Sequence, residues 1–187
     1  MRLGVDLDGV LYNFEKTARF LLGWHFGYDL PTSNKWDFIK ANVKKAHWEW
    51  LWTHGVAEYG LFRHGHCHKG ALEGLRHLRG MGHALIIITS RPKSAQGDTI
   101  SWLAYHNIAP SEVHILGPGI SKSSVAQCAV YIDDHPEHIK DLEVIYPDSL
   151  CLLMSRAWNT GYTCGVRVKD WREVLVHVKT FKWRGEK

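Results

Sequence analysis

Apolar positions along the chain form two patterns that alternate with each other. Short continuous apolar runs, bounded by glycine, proline or polar residues, are typical of strands buried on both faces of a sheet. Between them, apolar residues recur at helical spacing, as at Leu72, Leu75 and Leu78. Alternating strands and helices predict an α/β fold with a doubly wound, Rossmann-like parallel sheet of about five strands. The runs that predict strands are Leu3–Val5, Ala84–Ile88, Glu112–Leu116, Val130–Ile132 and Leu150–Met154.

One stretch interrupts this alternation between the first and second predicted strands. Residues 13–68 carry helical patterns only. Asn13 is a suitable cap for a helix that ends at Gly27, and a longer helical stretch follows over about Trp36–His54. We therefore predict a core domain formed by residues 1–12 and 69–187, with residues 13–68 inserted as a small helical cap domain.

Composition narrows the class of protein. A chain of 187 residues with 45% apolar residues suits one globular domain, or one domain with an insertion. It has no run of about 18 apolar residues, so no membrane-spanning helix is expected. The chain leads directly into a strand, which leaves no room for a signal peptide. The net charge of +4 suits an anionic ligand without requiring nucleic acid.

The cysteines indicate a reducing environment. All four are far apart in the sequence, and none forms a Cys-x-x-Cys motif. Reduced thiols in a cytoplasmic protein are therefore expected. The residues are Cys67, Cys128, Cys151 and Cys164.

The first predicted strand ends in two acidic residues, Asp6 and Asp8, followed by Gly9. Carboxylates this close repel each other, and a divalent cation with oxygen ligands would neutralise them. Gly9 permits a tight turn or the close approach of a ligand. Because open α/β sheets bind ligands at the carboxyl ends of their strands, the pattern favours a metal and phosphate site there. An ordinary acidic turn explains these three residues, taken alone, equally well.

Polar residues also follow two later strands. Thr89 and Ser90 come at the end of the second predicted strand, and Asp133 and Asp134 come at the end of the fourth. Lys122 stands in a loop rich in glycine and serine. Taken singly, these are ordinary turn residues, a surface lysine and a helix cap. Their concentration at strand ends favours one common site.

In this order the segments resemble the four motifs of the haloacid dehalogenase (HAD) superfamily of phosphatases. The resemblance covers most of the chain, from residue 2 to the Leu150 strand. More narrowly, the sequence resembles the 5'(3')-deoxyribonucleotidase family through Ile88–Pro92, Ile132–Glu137 and Arg156–Asn159. The matching residues are Asp6 and Asp8 for the first motif, Thr89 and Ser90 for the second, Lys122 for the third, and Asp133 and Asp134 for the fourth.

The resemblance implies a phosphomonoesterase that works through an aspartyl-phosphate intermediate. Asp6 would attack the phosphorus, which divides one hard displacement into two easier ones. Asp8 would protonate the leaving alcohol and then deprotonate the attacking water. Mg²⁺ would lie between Asp6, the backbone carbonyl of Asp8 and Asp133, with Asp134 beside it.

The second and third motifs imply the phosphate-binding groups. Thr89, Ser90 and Lys122 would hold the phosphate oxygens and stabilise the charge of the transition state. Arg91 either assists them or is a surface residue before a proline.

The predicted cap is rich in aromatic residues, which bears on the substrate. One or two of them could stack on a nucleobase, while most would form the core of the cap. With the family resemblance, this favours a nucleoside monophosphate as the substrate. The aromatic residues are Tyr12, Trp24, Phe26, Tyr28, Trp36, Phe38, Trp48, Trp50 and Trp52.

Three alternating histidines, His64, His66 and His68, surround Cys67 and suggest a zinc site. No second cluster of ligands at a standard zinc spacing accompanies them. We therefore expect solvated or loosely packed histidines rather than a metal site.

Two other functions fit the same residues. A phosphatase acting on polynucleotide ends would also use positive charge and tryptophans. A nucleotide-binding protein without activity is the third option, because fold does not fix function. The expected partner is a small phosphate ester, with no membrane and with nucleic acid disfavoured. A homodimer, the base and sugar preference and the position of the phosphate are left open.

Overall fold

A parallel β-sheet forms the centre of the molecule in the computed structural model, which describes residues 1–35, 37–125 and 127–183. Its strands are β1 (Arg2–Val5), β2 (Ala84–Thr89), β3 (Glu112–Ile115), β4 (Val130–Asp133), β5 (Leu150–Met154) and β6 (Val166–Val168). The spatial order is β3-β2-β1-β4-β5-β6, and every neighbouring pair is parallel. The predicted α/β class and the helical insert after the first strand are confirmed.

The sixth strand was not predicted from the sequence. It contains only Val166, Arg167 and Val168, and a three-residue run with a central arginine carries no clear strand pattern. Its position depends on tertiary contacts, because the guanidinium of Arg167 donates to the backbone oxygens of Asn159 and Tyr162 at 2.7 Å each.

The insert after β1 contains α1 (Phe14–Phe26), α2 (Phe38–Asn42), α3 (Lys45–Trp52) and α4 (His54–Ala57). The predicted continuous helix over Trp36–His54 is thus wrong in detail, and Trp36 itself lies outside the described residues. The backbone is extended at Val43. At Thr53 the hydroxyl donates to the carbonyl of Glu49 at 3.1 Å, a local bond that competes with helix continuation.

Helices cover both faces of the sheet. Residues of β2 alternate between the faces, with Leu85 and Ile87 on one side and Ile86 and Ile88 on the other. The first side packs against α5 (Ala71–Gly80), α6 (Gln96–Tyr105) and α8 (Trp171–Thr180), and the second against α7 (Pro136–Ile145). The insert has an apolar cluster of its own, which includes Leu22, Leu51 and Phe62.

The topology places the functional edge of the sheet. β1 pairs with β2 on one side and with β4 on the other, so the order of strands reverses at β1. Ligands of doubly wound sheets bind outside the carboxyl ends of the strands at such a reversal. In the part of the chain that the structure describes, none of the helices has the length and apolar character needed to span a bilayer.

Candidate active site

A cavity of about 420 Å³ lies over the carboxyl ends of β1, β2 and β4. Asp6 follows β1, Thr89 ends β2 and Asp133 ends β4, and all three line this cavity. The opposite wall comes from the helical insert, through residues such as Phe14 and Trp52. The cavity thus lies between the polar strand ends and the apolar insert.

Three carboxylates meet at the floor of the cavity. One oxygen from each of Asp6, Asp133 and Asp134 lies within 4.8 Å of the others, and all three residues are buried. Asp8 does not join this cluster with its side chain. The acidic residues of the first and fourth motifs, far apart in the sequence, are therefore neighbours in the fold.

Lys122 lies directly against this cluster. Its Nζ is 2.6 Å from Asp6 Oδ1 and 2.6 Å from Asp133 Oδ2, and its side chain is 3% exposed. The lysine begins a short 3₁₀ turn, Lys122–Ser124, and the hydroxyl of Ser121 accepts from the amide of Ser123 at 3.0 Å. Burial alone would lower the pKa of Lys122, but the charges of Asp133 and Asp6 raise it, so the ammonium stays protonated.

The three carboxyl groups differ in their pKa values. Burial raises the pKa of Asp6 to about 6, although Lys122 opposes the shift. Burial also acts on Asp133, but Lys122 and a hydrogen bond from His138 hold its pKa below the ordinary value. Burial, with the charges of Asp133 and Asp6, raises the pKa of Asp134 well above the ordinary value. Among the described residues, Asp134 has no ion pair of its own.

Gly9 allows the first and fourth motifs to approach each other. Its φ is +83°, a conformation that favours glycine. A Cβ at this position would lie 2.2 Å from Oδ2 of Asp134. The turn that contains it is closed by amide groups of Leu11 and Tyr12, which donate to the carbonyl of Leu7 at 2.8 and 2.7 Å.

The hydroxyl groups of the second motif lie at the cavity. Thr89 is fully buried, and its Oγ1 accepts from the amide of Arg91 at 3.3 Å, which leaves its own proton to donate elsewhere. The Oγ of Ser90 is buried and has no hydrogen-bond partner among the described residues. Both residues line the cavity and can supply donors to an anion there.

Arg91 lines the cavity and forms an ion pair that the sequence did not indicate. Its side chain is fully buried, so it is not a surface residue, and its Nε and Nη2 donate to the two carboxylate oxygens of Asp8 at 2.8 and 2.9 Å. Its partner Asp8 is 83 positions away in the sequence, so no local sequence pattern predicts this ion pair.

The segment after β5 contributes groups to the site whose roles sequence reasoning missed. Trp158 Nε1 donates to Oδ2 of Asp134 at 3.0 Å, and Asn159 Nδ2 donates to the backbone oxygen of Asp134 at 2.8 Å. Arg156 Nε donates to the carbonyl of Gly9 at 2.6 Å. In the sequence, only the resemblance of Arg156–Asn159 to the family pointed to this segment. That resemblance did not indicate that these side chains bond to Gly9 and Asp134.

Aromatic residues form the wall of the cavity on the side of the insert. Phe14 is stacked with Trp52 at 5.6 Å between ring centroids and with Phe62 at 5.9 Å, and Trp48 meets Trp52 edge-on. We call Phe14, Trp48, Trp52 and Phe62 the aromatic wall; all four line the cavity. Trp50 instead stacks on His25 at 4.4 Å beside the apolar core of the insert.

The three alternating histidines do not share one environment. His64 and His66 are exposed, whereas His68 is partly buried and lines the cavity. Burial, with the nearby charge of Arg156, lowers the pKa of His68 to about 3. Within the described residues, the acidic cluster is the one group of potential ligands close enough together to hold a metal ion.

A comparison with protein-family models found a match over most of the chain. Residues 1–181 match the family model described as "5' nucleotidase, deoxy (Pyrimidine), cytosolic type C protein". No curated protein sequence matches the chain.

Several solved structures share the fold. A haloacid dehalogenase-like hydrolase from Streptococcus pneumoniae is 15% identical with a TM-score of 0.65, over 95% of this chain and 97% of that one. The L-2-haloacid dehalogenase from Xanthobacter autotrophicus is 8% identical with a TM-score of 0.62, over 97% and 99%. A HAD hydrolase from Bacillus subtilis, solved with magnesium, is 13% identical with a TM-score of 0.62, over 95% and 98%. At these identities the likeness establishes the HAD fold.

Proposed function

This chain belongs to the 5'-deoxynucleotidase family of the HAD superfamily and is a phosphoric monoester hydrolase, and we propose that it hydrolyses nucleoside monophosphates with Asp6 as nucleophile. One observation carries the proposal. Lys122 Nζ lies 2.6 Å from an oxygen of Asp6 and 2.6 Å from an oxygen of Asp133, and this group lies under the cavity that the aromatic wall lines. Uncatalysed hydrolysis of phosphate monoesters is so slow that enzymes accelerate it up to about 10²¹-fold. A nucleophile, cations and several donors acting together suit that demand.

The proposed reaction has two displacements at phosphorus. In the first, an Asp6 oxygen bonds to phosphorus, the bond to the leaving oxygen breaks, and Asp8 gives its proton to that oxygen. In the second, water bonds to phosphorus, its proton goes to Asp8, and the bond to Asp6 breaks. Asp6 and Asp8 then have their starting charges.

Mg²⁺ is the metal that we assign to the acidic cluster. The carboxylates of Asp6, Asp133 and Asp134 are hard oxygen ligands within reach of one ion. Burial, with the charges of Asp133 and Asp6, raises the pKa of Asp134 well above its ordinary value, and a cation bound there would favour its ionised form. The backbone carbonyl of Asp8 is the fourth protein ligand in this proposal. When bound, the ion supplies positive charge that lets a carboxylate approach an anionic phosphate. Asp133 and Asp134 are fixed for this role by His138 and Trp158.

Phosphate binding is assigned to Thr89, Ser90 and Lys122. The unpartnered hydroxyl of Ser90 and the available proton of Thr89 are donors at the cavity floor. The ammonium of Lys122 has three donors and uses two on carboxylates, so one remains for a phosphate oxygen. Donors held in place before the reaction stabilise charge at no further cost in reorganisation.

The aromatic wall is assigned to the nucleobase. Stacking of a base on aromatic side chains contributes about 1–3 kcal/mol. The family description names deoxy and pyrimidine substrates, which we take as the first candidates for this chain.

The proposed domain boundaries remain 1–12 and 69–187 for the core and 13–68 for the cap. The separate apolar cluster of the insert supports this division. None of the four cysteines forms a disulfide in the described residues, which supports the cytosolic location in the family description.

A panel of nucleoside and deoxynucleoside monophosphates, assayed for phosphate release with and without Mg²⁺, tests the proposal. Asp6→Asn should abolish turnover while leaving the fold intact, and rapid quenching of the wild type should place phosphate on Asp6. Asp148→Asn, in an exposed turn, is the matched control and should be fully active. Undiminished phosphate release by Asp6→Asn would exclude the nucleophile. Turnover of sugar phosphates without nucleotides would reject the substrate class, and a steep fall of affinity with salt would indicate polynucleotide ends.

A further inference from the structure

Arg91 makes a two-pronged contact with one of the proposed catalytic groups. Its Nε lies 2.8 Å from Oδ2 of Asp8 and its Nη2 lies 2.9 Å from Oδ1. A fork of this kind fixes both the position and the plane of a carboxylate, which a single contact cannot do. Asp8 itself remains 28% exposed and lines the cavity, so its outer side is accessible to a substrate.

The guanidinium of Arg91 also contacts two aromatic rings and a hydroxyl group. Its central carbon lies 4.4 Å from the ring centroid of Tyr12 and 4.4 Å from that of Phe62. Its Nη1 donates to the hydroxyl of Thr99 at 3.2 Å. The two ring centroids are 6.4 Å apart, so the rings lie on adjacent sides of the guanidinium, where they favour its charge. The Arg91 side chain has no exposed surface, and each of its contacts limits the positions that the guanidinium can take.

The same enclosure argues against a direct role for Arg91 on phosphate. Among the described residues, its side-chain nitrogens contact Asp8 and Thr99, whereas the acidic cluster is contacted by Lys122. Arg91 lines the cavity, but its side-chain nitrogens are engaged with Asp8 and Thr99 rather than with the acidic cluster.

We propose that Arg91 is a positioning residue that fixes the carboxyl group of Asp8 for proton transfer to the leaving oxygen. The inference rests on the proposed function, because it assumes that Asp8 gives a proton as the bond from phosphorus to the leaving oxygen breaks. Donors on both oxygens favour the ionised carboxylate, so Asp8 takes this proton from the monoanion of the phosphate ester when the substrate binds. Arg91 then acts only where that proton is needed. A nucleoside is a poor leaving group and needs the proton, whereas para-nitrophenolate is stable as an anion and leaves without it.

Two variants test this inference, each assayed with a nucleoside monophosphate and with para-nitrophenyl phosphate. Arg91→Lys keeps the charge but loses the fork, and Arg91→Gln keeps one donor but loses the charge. Misplacing a general acid costs up to the 10²–10⁴-fold that such catalysis contributes, so we expect kcat/KM for the nucleotide to fall by about 10²-fold. The value of kcat/KM for para-nitrophenyl phosphate should change little, since it reports only on the first displacement. The inhibition constant of inorganic phosphate should be unchanged.

The control variant changes another arginine that pairs with an aspartate, at a position away from the cavity. Arg63 donates to Asp98 through Nε at 2.9 Å and lies outside the cavity lining, so Arg63→Lys should affect the two substrates equally and weakly. Thermal melting establishes that each variant is folded. Should neither Arg91 variant fold, Thr99→Val, which loosens the guanidinium without touching Asp8, is expected to reduce nucleotide turnover selectively.

Each result decides the question. A loss confined to the nucleotide supports the inference. Equal losses on both substrates, or a weakened inhibition by phosphate, would overturn it and leave Arg91 with a general or phosphate-binding role. A further loss when Arg91→Lys is added to Asp8→Asn would overturn it as well, because a residue that acts through Asp8 has no effect once Asp8 is disabled. The proposed function fails separately, if the wild type hydrolyses neither substrate.

Discussion

Lys122 offers the sharpest test of the site, because its ammonium is a buried cation shared by two buried carboxylates. Its side chain is 3% exposed, and those of Asp6 and Asp133 are 8% and 3% exposed. Lys122→Met keeps most of the volume but removes the charge. Since removal of one partner of a buried ion pair costs about 3–5 kcal/mol, the free energy of unfolding of the metal-free variant should fall by about that amount at mildly alkaline pH.

The deficit of this variant should depend on pH in a defined direction. Burial raises the pKa of Asp6 to about 6 even with Lys122 present, and without Lys122 the pKa values of Asp6 and Asp133 both rise. A carboxyl whose folded-state pKa lies above its unfolded value stabilises the fold when protonated, and this stability is lost as the pH rises through the folded pKa. The deficit should therefore be greatest at mildly alkaline pH and shrink on acidification.

Urea unfolding, followed by tryptophan fluorescence in the presence of a chelator at several pH values, measures this deficit. Lys140→Met is the matched control, since Lys140 Nζ also contacts a carboxylate, Glu137, at 2.8 Å, but with its side chain 49% exposed. Exposed pairs contribute little, so this control should be almost unchanged at every pH. Wild-type stability of Lys122→Met across the pH range would refute the argument from burial.

Three further predictions concern the cavity. Gly9→Ala should destabilise the fold by about 1–2 kcal/mol from left-handed backbone strain alone and should displace Asp134, so activity should fall; a fully active variant in the phosphate-release assay would contradict this. Trp52→Leu should weaken nucleotide binding by about 1–3 kcal/mol while the inhibition constant of inorganic phosphate stays constant; equal weakening of both would remove the aromatic wall from base recognition. Because the pKa of His68 is lowered from 6.5 to about 3, the wild type should lose stability as the pH falls from about 6.5 to about 3. In melting experiments the stability of His68→Gln should fall less over this pH range. The same pH dependence in both proteins would mean that the proton binds to another group.

The sheet and its polar strand ends could be predicted because their signals are local. Continuous apolar runs identify buried strands, and the strands of a doubly wound sheet present their carboxyl ends at one edge. Asp6, Thr89 and Asp133 follow such runs directly, so their common location follows from the pattern. β6 could not be found in this way, because Arg167 interrupts a run of only three residues.

The partners of the cationic side chains could not be predicted, because they depend on distant segments. Lys122 follows no strand, and only the fold brings its Nζ to Asp6, 116 positions earlier in the sequence. The position of Arg91 before a proline suits a surface residue as well as a buried one. The breaks at Val43 and Thr53 depend on side-chain hydrogen bonding and packing that helical spacing does not report.

The central position of β1 has a consequence for how the protein is made. Leu3, Gly4 and Val5 leave the ribosome well before Val130–Ile132, the segment that forms one of their neighbouring strands in the sheet. Pairing of strands so far apart in the sequence is slow, and the unpaired edge of β1 is prone to aggregation until β4 pairs with it. A nascent chain halted before β4 would carry the nucleophile but neither Asp133 nor the strand that supports it. Catalytic competence is therefore expected only after β4 has been synthesised, and chaperone dependence should be greatest while that edge of β1 is unpaired.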